Sequence, residues 1–240
     1  MSQEQNKTIS GSVLDVYTPA SQEYKENRMP RVGQTVEFED GRKYVFCSTA
    51  VDVENGEFVA SAAGITGVTS KIQAAGTREV RIVQASITQN QLAGGQLILE
   101  GTGVSYKIKS NTASATVESV ANVVLVTLYD PLTAATTDGE AYIASVSKVE
   151  NVVLSTAGSN VIGVAVVDVL AATGGATHYF WAQYQGLGSI LDTAAAAGAT
   201  LASGAAGLAV AATGVEMVLG TKITAGTDYD RVYLSLDGGC

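Results

Sequence analysis

The chain has 240 residues, a mass of 24.6 kDa, 46% apolar residues and a formal charge of −9. A compact chain of this mass buries roughly 70% of its unfolded surface, so one large β domain or two small ones can hold a core without disulfides or metals. The charge is uneven: residues 1–110 carry 11 basic and 12 acidic side chains, whereas residues 111–240 carry 3 and 11. The acidic second half argues against nucleic-acid binding, whose affinity comes from neutralising phosphates.

Aromatics make up only 6% and charged residues 15%, and glycine occurs 26 times. With abundant Ala, Val, Ser and Thr, that composition favours short β-strands joined by tight turns. The polar start, Met1-Ser-Gln-Glu-Gln-Asn-Lys7, lacks the apolar stretch of a secretory signal. The longest apolar run, Val161 to Ala172, is interrupted by Asp168 and is too short to span a bilayer. The expectation is a soluble protein made inside the cell, with no membrane partner. In a reducing compartment Cys47 reads as a small core residue, and Cys240 follows Gly238-Gly239 with no assigned role.

Residues 1–34 stand apart, with Pro19 and Pro30 among Tyr17, Tyr24, Arg28 and Arg31 and little periodicity. They read either as an extended arm that docks on a neighbour through those four side chains, or as a frayed terminus with one edge strand around Ser12 to Tyr17. Next, Asp40-Gly41 between Thr35–Glu39 and Arg42–Phe46 predicts a two-residue type I′ hairpin with Glu39 opposite Arg42. Asn55-Gly56 predicts a second such turn, joining Val51–Val53 to Phe58–Ala60. Val104, Tyr106 and Ile108 alternate with polar residues, as a half-buried strand does. A polar stretch, Asn111 to Ser119, is the expected boundary between a first β subdomain (35–115) and a second (116–240).

Asn122 to Tyr129 is a continuous apolar run, read as a strand covered on both faces and stopped at Asp130-Pro131. Gly94-Gly95, Asp138-Gly139 and Gly174-Gly175 punctuate the chain at turn-like intervals. Asp192 to Ala197 is the best helix candidate, yet it is too short to nucleate without packing. Val232, Leu234 and Leu236 alternate again near the end. The expected fold class is all-β: a β-sandwich or β-barrel-like body of short antiparallel strands with an N-terminal arm.

Catalytic chemistry finds little purchase. The single histidine, His178, lies among aromatics in Thr177-His-Tyr-Phe-Trp-Ala-Gln-Tyr184 and reads as a strand residue; no G-x-S-x-G elbow accompanies it. One His and two distant Cys cannot supply a zinc site. Gly101-Thr-Gly103 and Gly186-Leu-Gly188 lack the third glycine or the Lys-Ser/Thr of a phosphate loop, so both read as turns. Asp228, Asp230 and Asp237 lack the order of a calcium loop, and Glu37 with Glu39 reads as a solvated strand face. No catalytic residue, metal site or cofactor is expected.

Several segments taken in series do carry a resemblance. They are Gly94-Gly95-Gln-Leu97, Glu100-Gly-Thr-Gly-Val-Ser-Tyr-Lys-Ile-Lys-Ser110, Val126-Thr-Leu-Tyr-Asp-Pro-Leu132 and Val161-Ile-Gly-Val-Ala165, then Tyr179-Phe-Trp-Ala-Gln-Tyr-Gln-Gly186 and Thr227-Asp-Tyr-Asp-Arg-Val-Tyr-Leu-Ser-Leu-Asp237. In order and spacing, residues 75–237 resemble a group of tailed-phage head proteins. The resemblance implies a capsid decoration (cement) protein of the virion exterior, often a homotrimer, with the major capsid protein of the phage head as its partner. It contributes no catalytic residues; Tyr179 and Trp181 are implied as strand aromatics and Gly186 as the turn after them. The rival readings are another virion component (major capsid subunit, tail, fibre or head-fibre protein), a bacterial adhesion module, and a carbohydrate-binding or carbohydrate-active surface module, for which Trp181 would be the aromatic platform.

Overall fold

The computed structural model describes residues 32–236 except 158, 171–176, 192–194, 214–216, 225 and 227. Tyr17, Tyr24, Arg28, Arg31, the strand expected near Ser12, Gly174-Gly175, Asp192, Asp237 and Cys240 lie outside the described residues.

The chain is all-β, and every ladder between named strands is antiparallel. Strands β1 (Thr35–Glu37), β2 (Lys43–Thr49) and β3 (Phe58–Ala60) come first. Then follow β4 (Ile65–Thr69), β5 (Glu79–Val83), β6 (Gln96–Leu99), β7 (Ser105–Asn111), β8 (Ala115–Val117), β9 (Val120–Leu128) and β10 (Ala141–Ser145). The last group is β11 (Val153–Leu154), β12 (Val161–Ala165), β13 (His178–Ile190), β14 (Thr200–Ser203), β15 (Ala209–Ala211), β16 (Gly220–Thr224) and β17 (Asp230–Ser235). The only helical element among the described residues is one 3-10 turn, Ala205–Gly207.

Two compact units divide these strands, and the boundary expected at 115/116 is not where the chain divides. Residues 62–147, with β4 to β10, form one unit inserted in sequence between the two parts of the other. Residue 115 opens β8, inside the inserted unit, where β8 pairs β9. Local polarity misplaced the boundary because the pairings that define the units are long-range: β3 pairs β12, and β2 pairs β13 some 130 residues later.

The inserted unit is a closed six-stranded barrel in the order β5-β4-β10-β6-β7-β9, with β9 returning to β5 and β8 attached to β9. The last strand, β10, slots between β4 and β6. Closure leaves the ring without free edges. Inward positions follow period two: Val80 and Ile82, Leu97 and Leu99, Tyr106 and Ile108, Val124, Val126 and Leu128, then Tyr142 and Ala144 fill the interior. The expected alternation of Tyr106 and Ile108 is as observed. β9, however, is not covered on both faces, since Leu125 and Thr127 are only half-buried outside the ring.

The other unit is a curled sheet in the order β11-β3-β12-β13-β17-β16-β14-β15, with β2 on the second edge of β13 and β1 beyond it. Its doubly covered strand is β12, all five residues of which are buried. Val232, Leu234 and Leu236 point into the core as predicted. Cys47 is a fully buried core residue, as expected. Pairing to β2 already begins at residue 33, where the Gly33 amide donates to Phe46 O (2.8 Å), so the N-terminal segment joins the sheet before residue 35.

Two turns differ from expectation. In the β1–β2 hairpin Val36 pairs Tyr44 and Glu37 pairs Lys43, which places Phe38, not Glu39, opposite Arg42. The loop is three residues, and only Gly41 in it takes a positive φ (84°), so Asp40 escapes the left-handed strain that a type I′ turn imposes. The Asp40 carboxylate instead accepts the Arg42 amide (3.1 Å) and Nε (2.6 Å), which hold its pKa below the ordinary value. At Asn55-Gly56 there is a turn, closed by the Glu57 amide on Glu54 O (3.1 Å), but no hairpin: Val53 bridges Val169, while β3 pairs β11 and β12.

Candidate functional site

β13 organises the larger unit. Its first half pairs β2 from His178 to Gln185 and its second half pairs β17 from Gln185 to Ile190, so Gly186 lies within a 13-residue strand and is not a turn. Its φ of 91°, next to a register shift, lets the strand pass against Arg42; a Cβ there would lie 2.9 Å from Arg42 Cα. Gly101 and Gly103, by contrast, do sit in a loop, where the Gly103 amide donates to Leu99 O (2.8 Å) between β6 and β7.

The residues considered for chemistry are dispersed. His178 opens β13 as a half-buried strand residue. Glu37 and Glu39 are exposed, and Glu37 pairs Lys43 at 3.5 Å. Trp181 is 8% exposed and packs on Phe46 (ring centroids 5.0 Å apart) beside Tyr44, which removes it as a sugar platform. Asp230 is buried: its Oδ2 meets Lys222 Nζ at 2.8 Å and its Oδ1 accepts the Gly226 amide at 2.7 Å. Lys222, 2% exposed, also donates to Ala195 O. Asp230 therefore anchors the β16–β17 turn, whereas Asp228 is exposed. Among the described residues no three His, Cys, Asp or Glu side chains are grouped to hold a metal ion.

Two surfaces remain that the core does not explain. The first is the outside of the barrel. Outward residues of neighbouring strands meet in register as Val83–Val68–Ala141 across β5, β4 and β10, and as Thr66–Ile143–Ile98 across β4, β10 and β6. Val68 and Ile143 are 43% and 40% exposed, so this is an apolar face of a ring whose interior is already full. The lone signal in the sequence was the continuous apolar run Ala141–Ala144, which does not by itself separate an outward apolar face from a core strand.

The second is an open groove of 460 Å³ in the larger unit, between the second half of β13 and the β16–β17 turn. Gln183, 3% exposed, lies at its base and spends both Nε2 protons on Gln185 O (3.1 Å) and Leu187 O (2.9 Å). That fixes the amide orientation and leaves Oε1 without a hydrogen bond among the described residues. Tyr229 is 44% exposed and packs against Gly56 at the rim; Arg231 is exposed beside it. No sequence motif announced this groove, because its walls come from Asn55, from 183–189 and from 224–231.

No protein-family model, curated protein or solved structure matches the chain.

Proposed function

We propose that the chain is a non-enzymatic structural protein of a tailed-phage head, a decoration (cement) protein on the outer face of the shell that ties neighbouring capsomers together, working as a homotrimer with the major capsid protein as its partner. The observation that carries the reading is the apolar outer face of β5–β4–β10–β6. A closed barrel has no need of Val68, Ile143 and Ile98 on its outside for its own stability, and exposed apolar patches of this kind mark protein contacts. The resemblance adds support, and its segments fall on the strands and turns that build the scaffold: 100–110 covers the β6–β7 loop and most of β7, and 179–186 lies within β13. A cement protein works by buried area and rigid shape, and repetition over a symmetric lattice makes a modest interface act at high effective concentration.

The test is the double variant Val68→Asp/Ile143→Asp in the full chain. Both side chains are exposed, so folding should survive, as near-UV circular dichroism will report. The expected result is loss of binding to purified undecorated shells. Unchanged shell binding in the folded variant would remove this face from the proposal.

A further inference from the structure

We propose that the groove between β13 and the β16–β17 turn is a binding site for a neutral saccharide. Its volume, 460 Å³, lies in the range of small-molecule sites, about 300–1,000 Å³. The lining decides the class of ligand. Gln183 offers an acceptor of fixed orientation on a side chain only 3% exposed, and a donor in the groove would supply the hydrogen bond that its Oε1 lacks among the described residues. Asn55, Ser189 and Thr224 line the groove with neutral side chains that both donate and accept, which matches hydroxyl groups. Tyr229 supplies a flat apolar face with a polar tip at the rim, suited to the carbon-bound hydrogens of a sugar ring.

Charge narrows the choice further. The Asp230 carboxylate reaches the groove but is already matched by Lys222 and by the Gly226 amide, so it offers no free anion to a cationic ligand. Arg231 contributes planar donors, yet the unit that holds the groove carries 5 basic against 12 acidic side chains over residues 32–61 and 148–236, a balance that disfavours an anionic ligand. A purely apolar ligand would leave Gln183 Oε1 without a partner. A neutral sugar satisfies all three conditions. The inference is independent of the capsid reading: a protein that binds shells and no sugar loses only this site.

The experiment is a glycan array of neutral and acidic oligosaccharides probed with the labelled full chain, followed by calorimetry with the strongest neutral oligosaccharide on the array. Tyr229→Ala and Arg231→Ala alter exposed groove residues, and Tyr129→Ala, an exposed tyrosine of the barrel unit, is the control. We expect neutral oligosaccharides to bind, Tyr229→Ala to weaken them at least tenfold, Arg231→Ala to weaken them as well, and Tyr129→Ala to leave them unchanged. Absence of neutral-glycan binding, binding of acidic glycans alone, or affinity that survives both groove variants would overturn it.

Discussion

Lys222→Met is the sharpest test of how the larger unit is held together. The ammonium and the Asp230 carboxylate sit 2.8 Å apart, 2% and 4% exposed, on adjacent strands. Removing the lysine leaves Asp230 as a buried charge with only the Gly226 amide, which is expected to cost about 3–5 kcal/mol. Adding Asp230→Asn removes the charge and keeps an acceptor for Gly226, so the double variant should recover about 1–3 kcal/mol of that loss. The assay is urea unfolding followed by the emission of Trp181, the one tryptophan of the chain. Trp181 is buried on β13, which pairs directly with β17, so its signal reports the unit that contains the ion pair. A loss below about 1 kcal/mol for Lys222→Met, or purely additive effects in the double variant, would refute the reasoning.

Other predictions concern titration and turns. Burial pushes the Glu57 and Glu150 carboxyls up from 4.5, with the amide of Glu54 partly offsetting this at Glu57. The folded state therefore holds these protons more tightly than the unfolded state, and stability falls as pH rises from the ordinary glutamate value through the raised one. The melting temperatures of Glu57→Gln and Glu150→Gln should gain on the parent between pH 4 and pH 7; a gap that shrinks would have the wrong sign. Burial also drives the Tyr142 phenol up to about 12, and its hydroxyl donates to Val83 O at 3.1 Å. Tyr142→Phe should cost about 1 kcal/mol and remove one tyrosine from the most alkaline part of an absorbance titration. In the β8–β9 hairpin, Glu118 and Ser119 both take positive φ (50° and 70°), a type I′ demand that Asn-Gly meets more easily. Glu118→Asn/Ser119→Gly should raise the melting temperature of the barrel unit, despite losing the exposed pairs with Arg81 and Lys71; a lower melting temperature would contradict this.

Local chemistry was legible in the sequence and long-range pairing was not. Period two placed Tyr106, Ile108, Val232 and Leu234 inside, because a strand with one face on a core has to alternate. Asp40-Gly41 marked a hairpin correctly but not its register: two- and three-residue loops both accept Gly, and the Asp40–Arg42 contacts accompany the three-residue loop. Gly186 read as punctuation because a bulge and a turn ask the same freedom of the backbone. Val123 to Leu128 and Val161 to Ala165 look alike as apolar runs, yet only the second lies between two strands in a sheet covered on both faces. The insertion and the groove depend on which distant segments meet, as when Gln183 and Leu187 on β13 come near Tyr229, just before β17, and Arg231 on β17, and nothing local encodes those encounters.

The central proposal is that this protein cements a phage head. The most direct measurement is co-sedimentation of the purified full chain with undecorated shells of the phage concerned, with the bound mass per shell quantified. The account predicts saturable binding at a fixed ratio to the major capsid protein, in multiples of three chains per site, and shells that better resist heat or chelators once coated. Chains that stay in the supernatant at every concentration, with shells no more stable in their presence, would contradict it.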